Sequence, residues 1–326
     1  MASFKFNNVY LKDTYSLATN KECLGQVSNY DKIINNYYFG EKTFEQAEVK
    51  MQRYVIDNLL EKSAMHSKID LLVSGELSNQ LSITNATLSH YNIPYLGVYS
   101  ACASFIESLI VASTFIESKK IKNSLVLTSS HALVAERQFR YPIEYGSPAL
   151  KRQTKTATGC VGAILTNKKS KIKVTSATLG MVEDYGIKDV NNMGAVMAPA
   201  AAITLMQHLN DLGLDSKYYD LIITGDLGRV GTKLFLEFLK NNHITLKNYL
   251  DAGSILYPED VFEYAGSSGP ATLPLVVFNK ILKTKKYKKI LLIGTGSLHS
   301  TTLVNQKSTI PSIAHAISLE VTNDIY

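Results

Sequence analysis

Short apolar runs, each closed by a glycine and an acid, recur along the chain. Ile69-Asp70-Leu71-Leu72-Val73-Ser74-Gly75-Glu76-Leu77 is followed 150 residues later by Tyr219-Asp220-Leu221-Ile222-Ile223-Thr224-Gly225-Asp226-Leu227. Both read as buried strands running into a tight turn. Ile121-Lys122-Asn123-Ser124-Leu125-Val126-Leu127 is matched by Tyr287-Lys288-Lys289-Ile290-Leu291-Leu292-Ile293, and Gly162-Ala163-Ile164-Leu165 more weakly by His315-Ala316-Ile317-Ser318. Three pairs in the same order indicate a duplicated chain. Between them the period changes. Phe44, Ala47, Met51, Val55, Ile56 and Leu59 fall on one helical face. The counterpart helix is expected to begin at Pro199, since proline suits a first turn. Residues 102–117 and 270–283 form the next matched pair of helices.

Alternating strands and helices predict largely parallel sheets covered on both faces. The expected organisation is two halves, 1–168 and 169–326, with their sheets packed around shared central helices. They differ in one connection. Residues 130–159 form an insert in the first half, carrying His131, Arg137, Arg140, Lys151, Arg152 and Lys155 with Phe139, Tyr141 and Tyr145. A long connection of this kind in an α/β chain is usually functional or interfacial.

Composition narrows the class. The 326 residues are 45% hydrophobic and 19% charged, against about 25% charged in an average domain. A disordered chain is excluded, and more buried surface than one monomer needs is implied, so an oligomer is expected. The longest weakly polar stretch, Ala195–Met206, is too short to span a bilayer, and Met1-Ala2-Ser3-Phe4-Lys5 has no signal-peptide pattern. Cys23, Cys102 and Cys160 are widely spaced, with no Cys-x-x-Cys or Cys/His ligand spacing. Neither a metal site, a disulfide framework nor a cofactor is expected. The net charge of +6 is modest, and no recognition motif points to nucleic acid. The basic run Lys283, Lys285, Lys286, Lys288 and Lys289 reads either as a solvated loop or as a surface for anionic lipid.

Tyr99-Ser100-Ala101-Cys102-Ala103-Ser104 turns an apolar strand, Tyr95–Val98, into an amphipathic helix. A cysteine there meets backbone amides and the positive end of a helix, which favour a thiolate or an anionic ligand. The alternative is a small buried core residue.

Ser-Ala-Cys-Ala-Ser at the head of a helix in a duplicated α/β chain resembles the nucleophile segment of the thiolase-like superfamily, which includes thiolases and ketoacyl synthases. Glu136-Arg137-Gln138-Phe139-Arg140-Tyr141-Pro142-Ile143-Glu144-Tyr145-Gly146 is more specific. With Met193–Ala202 and Ile310–His315, it resembles the stage V sporulation protein AD family of endospore-forming bacteria. The resemblance implies a thiolase-like fold, two duplicated α/β halves in a layered αβαβα architecture. It also implies a noncatalytic protein that binds dipicolinic acid (pyridine-2,6-dicarboxylate), supporting its uptake into the developing spore and its release in germination. It further implies a homodimer held peripherally at the spore inner membrane with small membrane proteins of the same operon. The chain departs from the family pattern at Ala103 and around Pro270.

Condensing enzymes of the superfamily need two polar groups beside the cysteine, His/His or His/Asn. The stretches expected to supply them, Leu250–Ser254 and Tyr264–Pro270, hold neither histidine nor asparagine. An acyl-thioester enzyme would have to use Cys102 as nucleophile with His131 or His299 as base. For dipicolinate, two carboxylates call for arginine and an aromatic slot. The candidate contacts are Cys102, His131, Arg137, Arg140, Tyr141 and His315, though a strand histidine such as His315 is commonly structural.

Overall fold

The computed structural model describes residues 2–139 and 150–322. In chain order the first elements are β1 (Ala2–Thr19), β2 (Lys32–Ile34), α1 (Phe44–Ser63), β3 (Leu71–Gly75), α2 (Ser82–Leu88), β4 (Tyr95–Gly97) and α3 (Ser104–Glu117). They are followed by β5 (Asn123–Ser130), α4 (Ala132–Phe139), β6 (Thr154–Thr156) and β7 (Gly159–Thr166). The second series is β8 (Ile172–Leu179), α5 (Met193–Leu212), β9 (Leu221–Thr224), α6 (Gly228–Asn241), β10 (Tyr249–Asp251) and α7 (Ala252–Leu256). It ends with β11 (Gly266–Ser268), α8 (Thr272–Val276), β12 (Lys289–Ser297), α9 (Thr301–Asn305) and β13 (Ser312–Val321).

The main sheet runs β10-β9-β12-β13-β8-β1-β7-β5-β3-β4. Its order reads alike from both ends, with β3 answering β9, β5 answering β12 and β7 answering β13. Local bonding repeats too. Asp70 Oδ2 accepts from the amides of Lys122 and Asn123 at 2.8 and 2.9 Å. Asp220 Oδ2 accepts from Lys288 and Lys289 at the same two distances. The Asp-apolar-apolar opening is thus a strand-start clamp in both places. Two short carboxylate bonds to main-chain amides hold adjacent parallel strands in register.

α3 packs on β3, β5 and β1 on one side and on β12 and β13 on the other. Phe105, Ile106, Leu109 and Ile110 are buried in the largest core cluster. A helix apolar nearly all round belongs between two layers. Gly296 of β12 allows this close approach, since a Cβ there would lie 2.2 Å from the Ser100 carbonyl oxygen.

Three expectations change. The strands of both series form one mixed sheet rather than separate, largely parallel ones: the five middle pairings, from β12-β13 through β8 and β1 to β7-β5, are antiparallel, and the two pairings at each end are parallel. α5 begins at Met193, so Pro199 lies inside it rather than at its first turn. Interior proline costs about 3 kcal/mol. The buried small residues around it, and the contact of Gly194 with Gly231 of α6, set the helix boundary instead. The expected 270–283 helix is a composite, with α8 passing into a π-turn, Val277–Ile281, and a final 3₁₀ turn. Buried Asn279 in that π-turn accepts from Ser16 Oγ at 2.9 Å, tying the helix to β1.

Candidate functional site

Cys102 sits in a 3₁₀ turn, Ala101–Ala103, that leads directly into α3. Ala101 has φ of 51°, a left-handed conformation that costs a non-glycine residue about 1–2 kcal/mol. Ser104 fixes the turn, its Oγ accepting from the Ser100 amide at 3.0 Å and donating to the Ala101 carbonyl at 2.7 Å. The cysteine is thereby held at the end of the layers where β3, β4 and β12 finish.

Residues from both series surround it. Leu77 follows β3, and Thr156 and Ser268 come from the paired strands β6 and β11. Ser297 and His299 come from the end of β12, and Phe139 from α4. The cavity is about 30 Å³, room for roughly one water. Phe139 and His299, rings 5.4 Å apart, line both it and a neighbouring cleft of about 290 Å³ formed with Asn79, Gln80, Tyr99 and Ser300–Thr302.

Asp226, after β9, faces the cysteine and hydrogen-bonds its thiol. It is fully buried; its Oδ1 accepts from Thr295 Oγ1 at 2.6 Å and its Oδ2 from the Gly269 amide at 3.1 Å. Burial pushes its pKa up to about 7 despite those bonds, with the neighbouring Asp251 adding to the rise. Asp251 occupies the stretch where an enzyme of this fold was expected to carry a histidine. It is a strut, not a reacting group. Its Oδ1 accepts from Gly228 and Ser254 amides at 3.0 and 2.9 Å, and its Oδ2 from the Leu227 amide at 2.9 Å. Burial raises its pKa as well.

The sequence-nominated residues do not converge. Cys102 and His299 line one cavity. His131 is not there; it follows β5 but turns toward Tyr37 and Phe44, with Nε2 2.9 Å from the Tyr37 carbonyl. Burial lowers its pKa to about 4, so it stays neutral as packed. Arg137 is ion-paired with Glu45 of α1 and lines a separate cavity with Ser78 and Gln138. Other cations of the insert are also paired, Arg152 with Asp189 at 2.8 Å and Lys155 with Glu136 at 3.9 Å. His315, buried in β13, accepts from the Gly180 amide at 3.1 Å, and burial lowers its pKa to about 4. It belongs to the strand framework. Arg140 and Tyr141 lie outside the described residues. Asp226, Thr156, Ser268 and Ser297 were not nominated as site residues. Asp226 leaves a sign as the acid closing the repeated Gly-acid turn, and Ser268 lies in the Tyr264–Pro270 stretch expected to face the cysteine. Among the described residues, no three His, Cys, Asp or Glu side chains are grouped to hold a metal ion.

The layered strands, the helix buried between them and the cysteine at its head define a chain of thiolase-like fold. Solved structures of that fold align along its whole length. A variant of OleA from Xanthomonas campestris gives a TM-score of 0.60 at 16% identity, covering 97% of this chain and 99% of that one. 3-Oxoacyl-[acyl-carrier-protein] synthase III from Aquifex aeolicus gives 0.56 at 14% identity, covering 98% and 100%. Residues 2–320 match the family described as Stage V sporulation protein AD (SpoVAD), and the chain belongs to that family. It is 36% identical over 318 residues to Stage V sporulation protein AD of Bacillus subtilis, covering 96% of this chain and 94% of that protein.

Proposed function

We propose that this chain is a noncatalytic binding protein for dipicolinic acid, supporting its uptake into the developing spore and its release in germination. It acts as a homodimer at the spore inner membrane, together with small membrane proteins of its operon. The observation that carries the noncatalytic reading is the company Cys102 keeps. Its thiol meets a buried carboxyl, Asp226, and the surrounding polar groups are hydroxyls and one histidine. Acyl transfer needs a thiolate and donors aimed at a developing oxyanion. A carboxylate beside sulfur opposes the first.

The ligand occupies the open cleft beside the cysteine cavity. Its volume of about 290 Å³ stands at the low end for small-molecule sites, whereas the cysteine cavity, about 30 Å³, is too small. The ring lies against Phe139 and Tyr99. The carboxylates take the side-chain donors of Asn79, Gln80 and Thr302, and the sequence nominates Arg140 as the cation. Calorimetric titration with dipicolinate tests this. Saturable binding is expected, weakened by roughly 10–100-fold in Arg140→Ala through loss of a charge-assisted bond, with benzoate binding far more weakly. Absence of saturable heat in the wild-type protein overturns the reading.

One observation favours a second reading. His299 shares the cavity with Cys102, and an acyl-thioester enzyme would use the pair as base and nucleophile. Incubation with acetyl-CoA followed by intact mass measurement distinguishes the two. An acetyl adduct absent from Cys102→Ala would establish the enzyme.

A further inference from the structure

The end of the molecule opposite Cys102 is where β5 and β12 begin and β7 and β13 finish. Three loops meet there, and their backbones are tied together. The Asn167 amide donates to the Lys122 carbonyl at 3.1 Å, Thr322 to Lys171 at 2.8 Å, and Val321 to Lys288 at 2.8 Å. On these loops stand ten exposed lysines. They are Lys119, Lys120 and Lys122; Lys168, Lys169 and Lys171; and Lys283, Lys285, Lys286 and Lys288. They are ten of the chain's 34 lysines and arginines, gathered on three loops.

The lysines outnumber the acids beside them, though Lys288 and Lys289 act on Asp220 and Lys283 Nζ donates to the Asn29 carbonyl at 2.6 Å. None of the ten is ion-paired among the described residues. The nearby carboxylates are taken by main-chain amides instead, Asp70 by Lys122 and Asn123, Asp220 by Lys288 and Lys289, and Glu117 by Asn7 and Asn8. Aromatic rings lie among the lysines. Phe115 and Tyr218 are exposed, Lys286 sits over the Tyr287 ring and Lys289 over Tyr218. The described arginines are elsewhere, Arg53 on α1, Arg137 and Arg152 in ion pairs on the insert and Arg229 at the head of α6.

We propose that this end is a docking surface for a membrane carrying anionic lipid headgroups. Lysine is a compact point charge on a flexible stem. It suits a diffuse sheet of headgroups, whereas the planar fork of arginine suits fixed phosphates and bases. Aromatic rings at the rim favour a bilayer interface. The proposal deepens the peripheral attachment read above, by naming the surface and the lipid chemistry. It also orients the molecule, with the Cys102 cleft turned away from the bilayer.

Vesicle sedimentation of the full chain tests it, with phosphatidylcholine alone and with phosphatidylglycerol added, at low and physiological salt. The wild-type protein is expected to bind only the anionic vesicles and to weaken as salt rises. Each lysine near such a surface raises affinity roughly fivefold. Lys168→Gln/Lys169→Gln/Lys171→Gln should therefore lose about a hundredfold, and so should Lys283→Gln/Lys285→Gln/Lys286→Gln. A control of equal charge at the other end, Lys42→Gln/Lys188→Gln/Lys307→Gln, should lose little. The proposal is overturned if the wild-type protein ignores anionic vesicles, if the control falls as far as the two loop variants, or if duplex DNA binds more tightly at equal salt. Dipicolinate titration of the same variants keeps the readings apart, because a failure on vesicles with normal ligand binding removes this surface alone.

Discussion

The turns that end β3 and β9 start from almost the same sequence, Ser74-Gly75-Glu76 and Thr224-Gly225-Asp226, and put their acids to different uses. In the first turn Glu76 holds the turn itself, accepting from the amides of Ser78 and Ile83. It is shut in beside Glu48, whose Oε1 accepts from Ser129 Oγ at 2.7 Å. In the second turn that holding is done by Asp251 of the neighbouring strand. The position across from Thr224 is Asp251, and the matching position across from Ser74 is Gly97, which has no side chain to offer. Released from the turn, Asp226 reaches Cys102. One added carboxylate on a neighbouring strand thus separates a structural acid from an acid of the site.

The comparison breaks most sharply at Asp251. Asp251→Ala removes the acceptor for two buried amides and a half-buried one, at about 1–3 kcal/mol for each amide left unsatisfied before relaxation. A loss of about 3–5 kcal/mol in denaturant unfolding is expected. A loss under about 1 kcal/mol would mean that the second turn holds itself as the first does.

The pH profile of stability comes next. Burial, and mutual repulsion with Glu76, raises the Glu48 pKa, and burial raises that of Glu76. Burial holds Asp226 at about 7. An unfolded carboxyl titrates near 4, so the folded state keeps protons that the unfolded chain releases. Stability therefore falls as pH rises from about 4 to 7. His131, His208 and His315 do the opposite, held by burial at about 4. The unfolded chain takes up their protons below about 6.5, so stability also falls as pH drops from there toward 4. The two sets offset one another between about 4 and 6.5, so the thermal midpoint is expected to be nearly level there and to fall from about 6.5 toward 8, and Glu48→Gln to remove part of that fall. A profile that keeps rising to pH 8 would show that these acids ionise in the folded state without cost.

Asp226→Asn sharpens the comparison chemically. It keeps the shape and removes the charge beside sulfur, so alkylation of Cys102 by iodoacetamide at mildly alkaline pH should accelerate about tenfold. Glu76→Gln should leave that rate unchanged. Equal rates in both variants would remove Asp226 from the site. The smallest expected effect falls where the two regions behave alike. Asp70→Asn and Asp220→Asn each weaken a clamp of two amides and should cost about 1 kcal/mol apiece, in equal measure.

Much of the architecture could be read directly. The three matched runs became β3 and β9, β5 and β12, and β7 and β13, because a strand buried on both faces announces itself as a short apolar run, whether its neighbours are parallel or, as for β7 and β13, antiparallel. Cys102 was found through its small neighbours at a strand-to-helix junction. The rest of the site was not legible. Whether the side chain of His131 points to the cysteine or to Tyr37 is decided by packing beside β2 and α1, which local sequence does not encode.

The sequence by itself determined the repeated strand-and-clamp framework, the buried helix α3 and the cysteine at its head, since each depends on periodicity or on residues a few positions apart. The tertiary structure alone decided which acid meets the thiol, that Arg137 is spent on Glu45, and that three lysine-bearing loops form one end of the molecule. Those outcomes depend on which strands become neighbours. Residues such as Asp226 and Asp251, or Lys122 and Asn167, come together through strand order, and no spacing along the chain records it.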